Sequence, residues 1–208
     1  MDSLQKFYVL FFDIQAITRF LADFRHRYGK HTKYVELEIA LRFVLNLSKH
    51  RRTVYRIGFP TLSESKGRVT PVDIFKQKMA FDEDFDIVIA PKGKEQQVRH
   101  NLQIVRFTGE IDATTQGLFN FLRKKKFNVP KDENILLLVW LEKGLKLNYN
   151  ELGQKLEEIN VPYGQIFLVG ETKRDESEIF FCLKVFPEVM RFKDLDLSFL
   201  KSVKEAKA

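Results

Sequence analysis

Apolar residues recur along this chain at two periods, and the switches between them mark out its elements. In "DIQAITRFLADFRHRY", residues 13–28, Ile14, Ile17, Leu21, Phe24 and Tyr28 fall at helical spacing behind Asp13, a residue suited to an N-cap. "GKHT" interrupts that period. Residues 32–48, "TKYVELEIALRFVLNLS", predict a second helix that is apolar around most of its circumference, as in a helix buried between layers. "KHRR" ends it.

The period then shortens. "TVYRIGFP" reads as a strand, followed by the polar loop "TLSESKGRVTP" and a short segment, "VDIFKQKMA". "FDIVIA" and "LQIVRFTG" predict two more strands, separated by the loop "PKGKEQQVRH". A helix over "TTQGLFNFLRKKKF" tolerates Gly117 in its interior, and "NVPKDEN" is a turn. "ILLLVWLE", "YGQIFLVGE" and "EIFFCLKVF" are strands, with a helix over "NYNELGQKLEEIN" between the first two. Such continuous apolar runs belong to strands covered on both faces. From about Asp194 onward the chain reads as a short helix or a frayed tail.

From Tyr34 the order is helix, three strands, helix, strand, helix, strand, strand. Three successive strands can form a meander, and each later helix can cross between parallel neighbours. The expected fold class is therefore α/β, a central mixed β-sheet flanked by helices. Residues 1–31 form a basic helical extension, 32–193 the main domain and 194–208 a tail. No internal repeat or low-complexity linker divides the main domain.

Composition adds less. A chain of 208 residues with 44% hydrophobic and 30% charged residues can bury a core, and its 20 Phe are read first as core filling. The net charge of +7 is uneven, since residues 1–60 hold 11 Lys and Arg against 5 Asp and Glu. Polyanion binding is the functional reading of that asymmetry. The lone Cys182 excludes an intrachain disulfide and a Cys-based zinc site, and it makes a reducing, cytoplasmic setting the default. The apolar stretch "FYVLFF" lies between Asp2 and Asp13 with no small-residue cleavage site, so neither a signal peptide nor a membrane span is expected. "GKHT" lacks the upstream Gly of a phosphate-binding loop, and Cys182 in its apolar strand reads as packing.

A Glu-bearing buried helix, a three-strand meander with Asp86 at the head of its second strand, and a helix then strand after the third together resemble the PD-(D/E)XK nuclease superfamily, over residues 32–170. That resemblance implies a restriction-endonuclease-like sheet and, in active members, metal-dependent phosphodiester hydrolysis. The second-strand Asp and a third-strand acid hold Mg²⁺, and a Lys two residues beyond the acid assists the attacking water. Such chemistry requires hard oxygen ligands and a cation near the phosphate, and strand alternation sets the two-residue spacing.

Asp86 takes the first position, with an ordinary solvated Asp at the start of a strand as the competing reading. On the third strand Gln103 stands in the acid's place and Val105 in the lysine's. Shifting the register by one gives Ile104 and Arg106, which recovers a cation and loses the acid. Lys92 and Lys94 in the preceding loop are alternative cations. Glu36 and Glu38 point to different faces of the buried helix, so at most one can approach the metal; Glu38 is the candidate carried forward, against a competing i,i+4 pair with Arg42. The catalytic expectation thus rests on Asp86, Gln103 and Arg106, and the metal expectation on Asp86, Gln103 and Glu38 with Mg²⁺.

Lys49, Arg51 and Arg52 in "KHRR", and Arg123, Lys124 and Lys125 in "RKKK", are the expected nucleic-acid contacts, DNA foremost. The helix dipole explains cations at these ends equally well. Because Val105 interrupts the motif, the sequence favours a nucleic-acid binder derived from a nuclease over an active enzyme. The alternative is an α/β scaffold whose partner is another protein or a second copy of the chain.

Overall fold

The computed structural model of the chain describes residues 8–29, 31–61, 69–74, 87–110, 112–142, 145–174 and 177–197. The chain divides into two compact units, Met1–Asn101 and Leu102–Ala208.

In the first unit, "YVLFF" is a strand, β1 (Tyr8–Phe12). It pairs antiparallel with β2 (Tyr55–Thr61), setting Leu10 opposite Phe59, and β2 pairs antiparallel with β3 (Ile87–Pro91), setting Ile57 opposite Ile89. The helical periods are realised as α1 (Ile14–Tyr28) and α2 (Thr32–Arg51), which pack on each other and on β2. Tyr34, Leu37, Ile39, Ala40, Leu41, Phe43, Val44 and Leu47 are buried, so α2 is apolar around most of its girth as its sequence predicts. The Tyr34 hydroxyl donates to the Leu21 carbonyl and ties the two helices together. Its burial, reinforced by the Glu38 carboxylate, pushes the phenol pKa up to about 12.

Asp13 occupies the N-cap position of α1, but its side chain makes no capping bond. The carboxylate turns instead to Arg56 at 3.3 Å and Lys92 at 3.5 Å. At the other end of the helical pair, α2 closes through Arg52, whose φ of 51° and ψ of 36° lie in the left-handed region.

The second unit orders its strands β4 (His100–Phe107), β5 (Asp132–Leu141), β6 (Tyr163–Arg174), β7 (Ser177–Phe186) and β8 (Met190–Arg191), with β9 (Leu195–Asp196) also paired to β7. β5 and β6 run parallel while β6 and β7 run antiparallel, so this sheet is mixed. The α/β class expected from the sequence is therefore what the chain forms.

Two helices cover one face, α3 (Thr115–Lys125) and the crossover α4 (Tyr149–Glu157). Leu118, Leu122, Leu152 and Leu156 pack there with Leu137, Val139, Ile166, Leu168 and Val185. Alternate residues Leu136, Leu138, Phe167 and Val169 are buried too, which is why the strands read as unbroken apolar runs. On that second face, Phe192 meets Phe167 edge-on with centroids 5.8 Å apart. Cys182 is fully buried, and burial pushes its thiol pKa up, in keeping with a packing role.

Two segments depart from the expected elements. The apolar run before Asp13 forms strand β1 because β2 supplies its ladder. Leu195–Asp196 is paired to β7 rather than helical or frayed, since Leu195 and Leu197 are buried against the sheet; residues 198–208 lie outside the described residues. Gly117 also has its reason, because a Cβ there would lie 2.3 Å from the Asp112 carbonyl oxygen. Among the described residues, no helix is long and apolar enough to cross a membrane.

Gly164 tests how tightly β6 is seated. A Cβ at this position would stand 1.9 Å from the Glu133 carbonyl oxygen, a rigid backbone atom, whereas one at Gly153 meets the Val189 side chain at 2.7 Å. Gly164→Ala should lower the unfolding free energy by about 1–3 kcal/mol, and Gly153→Ala by less, in chemical denaturation. Equal destabilisation by the two would contradict the difference between backbone and side-chain obstruction.

Candidate nucleic-acid interface

Strand β4 presents the third-strand positions. Gln103 is half-buried, and the Tyr163 hydroxyl lies 3.2 Å from its Oε1 and 2.9 Å from the Lys126 carbonyl oxygen, toward which it donates. Val105 packs against the core beneath α3 and α4. Arg106, three residues from Gln103, projects from the other face by strand alternation and pairs with Glu142 at 2.5 Å in a largely exposed setting. The structure thus gives Gln103 and Arg106 separate partners on separate faces.

Glu38 on α2 makes the i,i+4 pair with Arg42, at 2.7 Å. Asp86 directly precedes β3 and lies outside the described residues. Among the described residues, no group of three or more His, Cys, Asp and Glu is arranged to hold a metal ion. As placed, the Gln103 amide oxygen faces a phenol and the Glu38 carboxylate is engaged by a guanidinium. No hydrolytic step follows from these groups.

The basic residues have a different environment. Lys49, Arg51 and Arg52 are exposed at the end of α2, and Arg51 Nη1 reaches the Tyr55 hydroxyl at 3.1 Å. The β2–β3 register sets Tyr55 opposite Pro91, and the Lys92 N–H donates to the Val54 carbonyl at 2.8 Å. This pairing brings the turn carrying Lys92 and Lys94 beside the end of α2. Gly93 in the turn has a φ of 82° with open space around it. Lys49, Arg51, Arg52 and Lys94 form no ion pair among the described residues. The second unit carries its own cluster, Arg123, Lys124 and Lys125, all exposed in the last turn of α3 and likewise without an ion pair among the described residues.

Nearby cations are engaged internally, which sharpens the contrast. Arg56 bonds the Phe11 carbonyl at 2.8 Å and Glu95 at 3.1 Å, besides its contact with Asp13. Arg99 donates to the Glu95 carbonyl oxygen at 2.5 Å and lies 5.9 Å above the Phe11 ring. Arg56 and Arg99 therefore fasten β1 and the 91–99 turn, leaving Lys94 and the α2 terminus to face solvent. The helix dipole favours cations at both helix ends, whether or not a carboxylate pairs with them.

In the sequence Lys94 stands out only as a stand-in for a catalytic cation, with nothing to connect it to Arg51 and Arg52. Tyr163 carries no local signal at all, because both of its polar partners are remote in sequence. Comparison with family profiles, curated proteins and solved structures gives no match.

The turn also sets a pH dependence. The backbone N–H groups of Glu95 and Gly93, and then the Arg56 guanidinium, hold the Glu95 carboxyl below its ordinary value of 4.5. A lowered folded-state pKa adds stability that is complete above 4.5 and is lost as the pH falls through the folded value. Glu95→Gln should therefore lower stability at neutral pH and make its decline on acidification shallower, as read by denaturant unfolding across the acid range. A decline as steep as that of the parent chain would remove Glu95 from the linkage.

Proposed function

We propose that this chain is a nucleic-acid-binding α/β protein that holds the phosphate backbone, DNA foremost, with Gln103 serving as a structural residue rather than a metal ligand. The observation carrying this reading is that the Lys94 turn lies beside the end of α2, where Lys49, Arg51, Arg52 and Lys94 are exposed and form no ion pair among the described residues. Arg123, Lys124 and Lys125 add a second cluster of the same kind. In the framework of the PD-(D/E)XK resemblance, the sheet acts as a scaffold for charge presentation. Phosphate contacts of this sort confer affinity without reading base sequence.

Salt titration tests the reading. Binding of labelled duplex DNA, followed by fluorescence anisotropy from about 50 to 200 mM salt, should weaken linearly on a log–log scale. Replacing Arg123, Lys124 and Lys125 by Ala should weaken binding and flatten the slope by roughly 0.9 for each phosphate that the variant no longer neutralises. Single-stranded DNA and RNA competitors then rank the substrates. A chain with no salt-dependent affinity for any of them is instead a protein-interaction scaffold.

Arg52 allows structure and binding to be separated. Its left-handed backbone is unfavourable for a residue with a side chain, so Arg52→Gly should stabilise the fold by about 0.5–1 kcal/mol. The same substitution should weaken DNA binding and flatten the salt slope by about 0.9. Thermal unfolding and anisotropy on one preparation check the opposite signs, and unchanged affinity would remove Arg52 from the interface.

A further inference from the structure

The end of α3 has an unusual fastening. Its C-cap, Lys126, has φ −129° and ψ −22°, and no left-handed glycine follows to satisfy the last carbonyls. A helix terminus leaves such carbonyls without intrahelical partners, and here the Lys126 carbonyl accepts the Tyr163 hydroxyl at 2.9 Å. Tyr163 is itself immobilised. Its residue is buried, its ring lies 6.2 Å from that of Phe127, and the Gly164 backbone beside it is pressed against Glu133. Burial raises the phenol pKa, so the hydroxyl keeps its proton and remains a donor.

One phenolic hydrogen faces two nearby oxygens. The shorter contact directs it chiefly to Lys126, and Gln103 Oε1, 3.2 Å away, is the second acceptor that holds the hydroxyl in place. The result is a relay from Gln103 through Tyr163 to the final turn of α3, the turn that carries Arg123, Lys124 and Lys125.

From this relay we infer that Tyr163 and Gln103 are positioning residues for phosphate binding: they fix the terminal turn of α3 so that its three cations meet the backbone of a nucleic acid together. The inference rests on the phosphate-binding reading above. It gives the third-strand glutamine a role in binding that does not involve a metal.

The test compares Tyr163→Phe, which keeps the buried ring, with Gln103→Leu, which keeps the side-chain volume, in the full chain with labelled duplex DNA. Each should reduce affinity by about three- to tenfold at low salt while unfolding remains cooperative. Combined with Ala at Arg123, Lys124 and Lys125, Tyr163→Phe should add nothing further, whereas combined with Arg51→Ala its effect should be additive. Amide hydrogen exchange at residues 123–127 of the unliganded protein should quicken in Tyr163→Phe. Unchanged exchange there, or a drop in affinity additive with the α3 triple substitution, overturns the relay even if the parent chain binds DNA. If the parent chain binds no nucleic acid at any salt, the phosphate-binding reading falls and this inference with it, although the exchange result still reports on the fastening of α3.

Discussion

In the second unit, the parallel pairing of β5 and β6 constrains everything around it. Parallel neighbours cannot be joined by a tight turn, so the chain between them must cross over the sheet, and α4 is that crossover. A crossing helix buries its strands from one side, and β5 and β6 are apolar on the other side as well. The uninterrupted run Leu136–Val139 meets both demands. Once β5 and β6 are set, Asp132 stands opposite Tyr163 and the phenol reaches the end of α3. The geometry of a surface turn rich in charge thus descends from the packing of two buried strands.

The first unit meets an analogous problem by electrostatic means. β1 has a ladder partner on one side, β2, and is further fastened by side chains. Arg56 gathers the Phe11 carbonyl, Asp13 and Glu95 around one guanidinium, whose fork can engage several oxygens at once. Engaging Arg56 and Arg99 in this way separates structural cations from surface ones. What faces solvent at the end of α2 is a set of cations, Lys49, Arg51 and Arg52, that form no ion pair among the described residues.

Most of the secondary structure was legible in the sequence, because period and apolar continuity are local properties. Both long helices and the strands Tyr55–Thr61, Ile87–Pro91, His100–Phe107 and the three after them lie where the patterns place them, within a few residues at each end. β1 was missed because "YVLFF" resembles any short apolar patch until β2, more than forty residues on, provides hydrogen bonds. The pairing of Leu195 with Phe180 escaped for the same reason. Candidate site residues were legible as chemical types and not as partnerships. Nothing local announces that Lys94 lies beside the end of α2, or that a tyrosine 60 residues away engages Gln103.

The choice of glutamine at position 103 follows from the donors and acceptors around it. The Tyr163 hydroxyl faces two acceptors in partly buried surroundings, the Lys126 carbonyl at 2.9 Å and Gln103 Oε1 at 3.2 Å. A carboxylate at position 103 would be the stronger, charged acceptor, so it would draw the phenolic hydrogen away from the helix-terminal carbonyl. It would also bring negative charge to the negative end of the α3 dipole unless a cation compensated it. An amide oxygen carries no net charge, so Gln103 can take a share of the phenolic hydrogen while the shorter bond stays with the Lys126 carbonyl. Val105 on the same face follows a similar logic, since a lysine there would place an ammonium against the apolar cluster of Phe107, Leu118 and Leu122. Gln103 and Val105 are thus both suited to a sheet that supports α3.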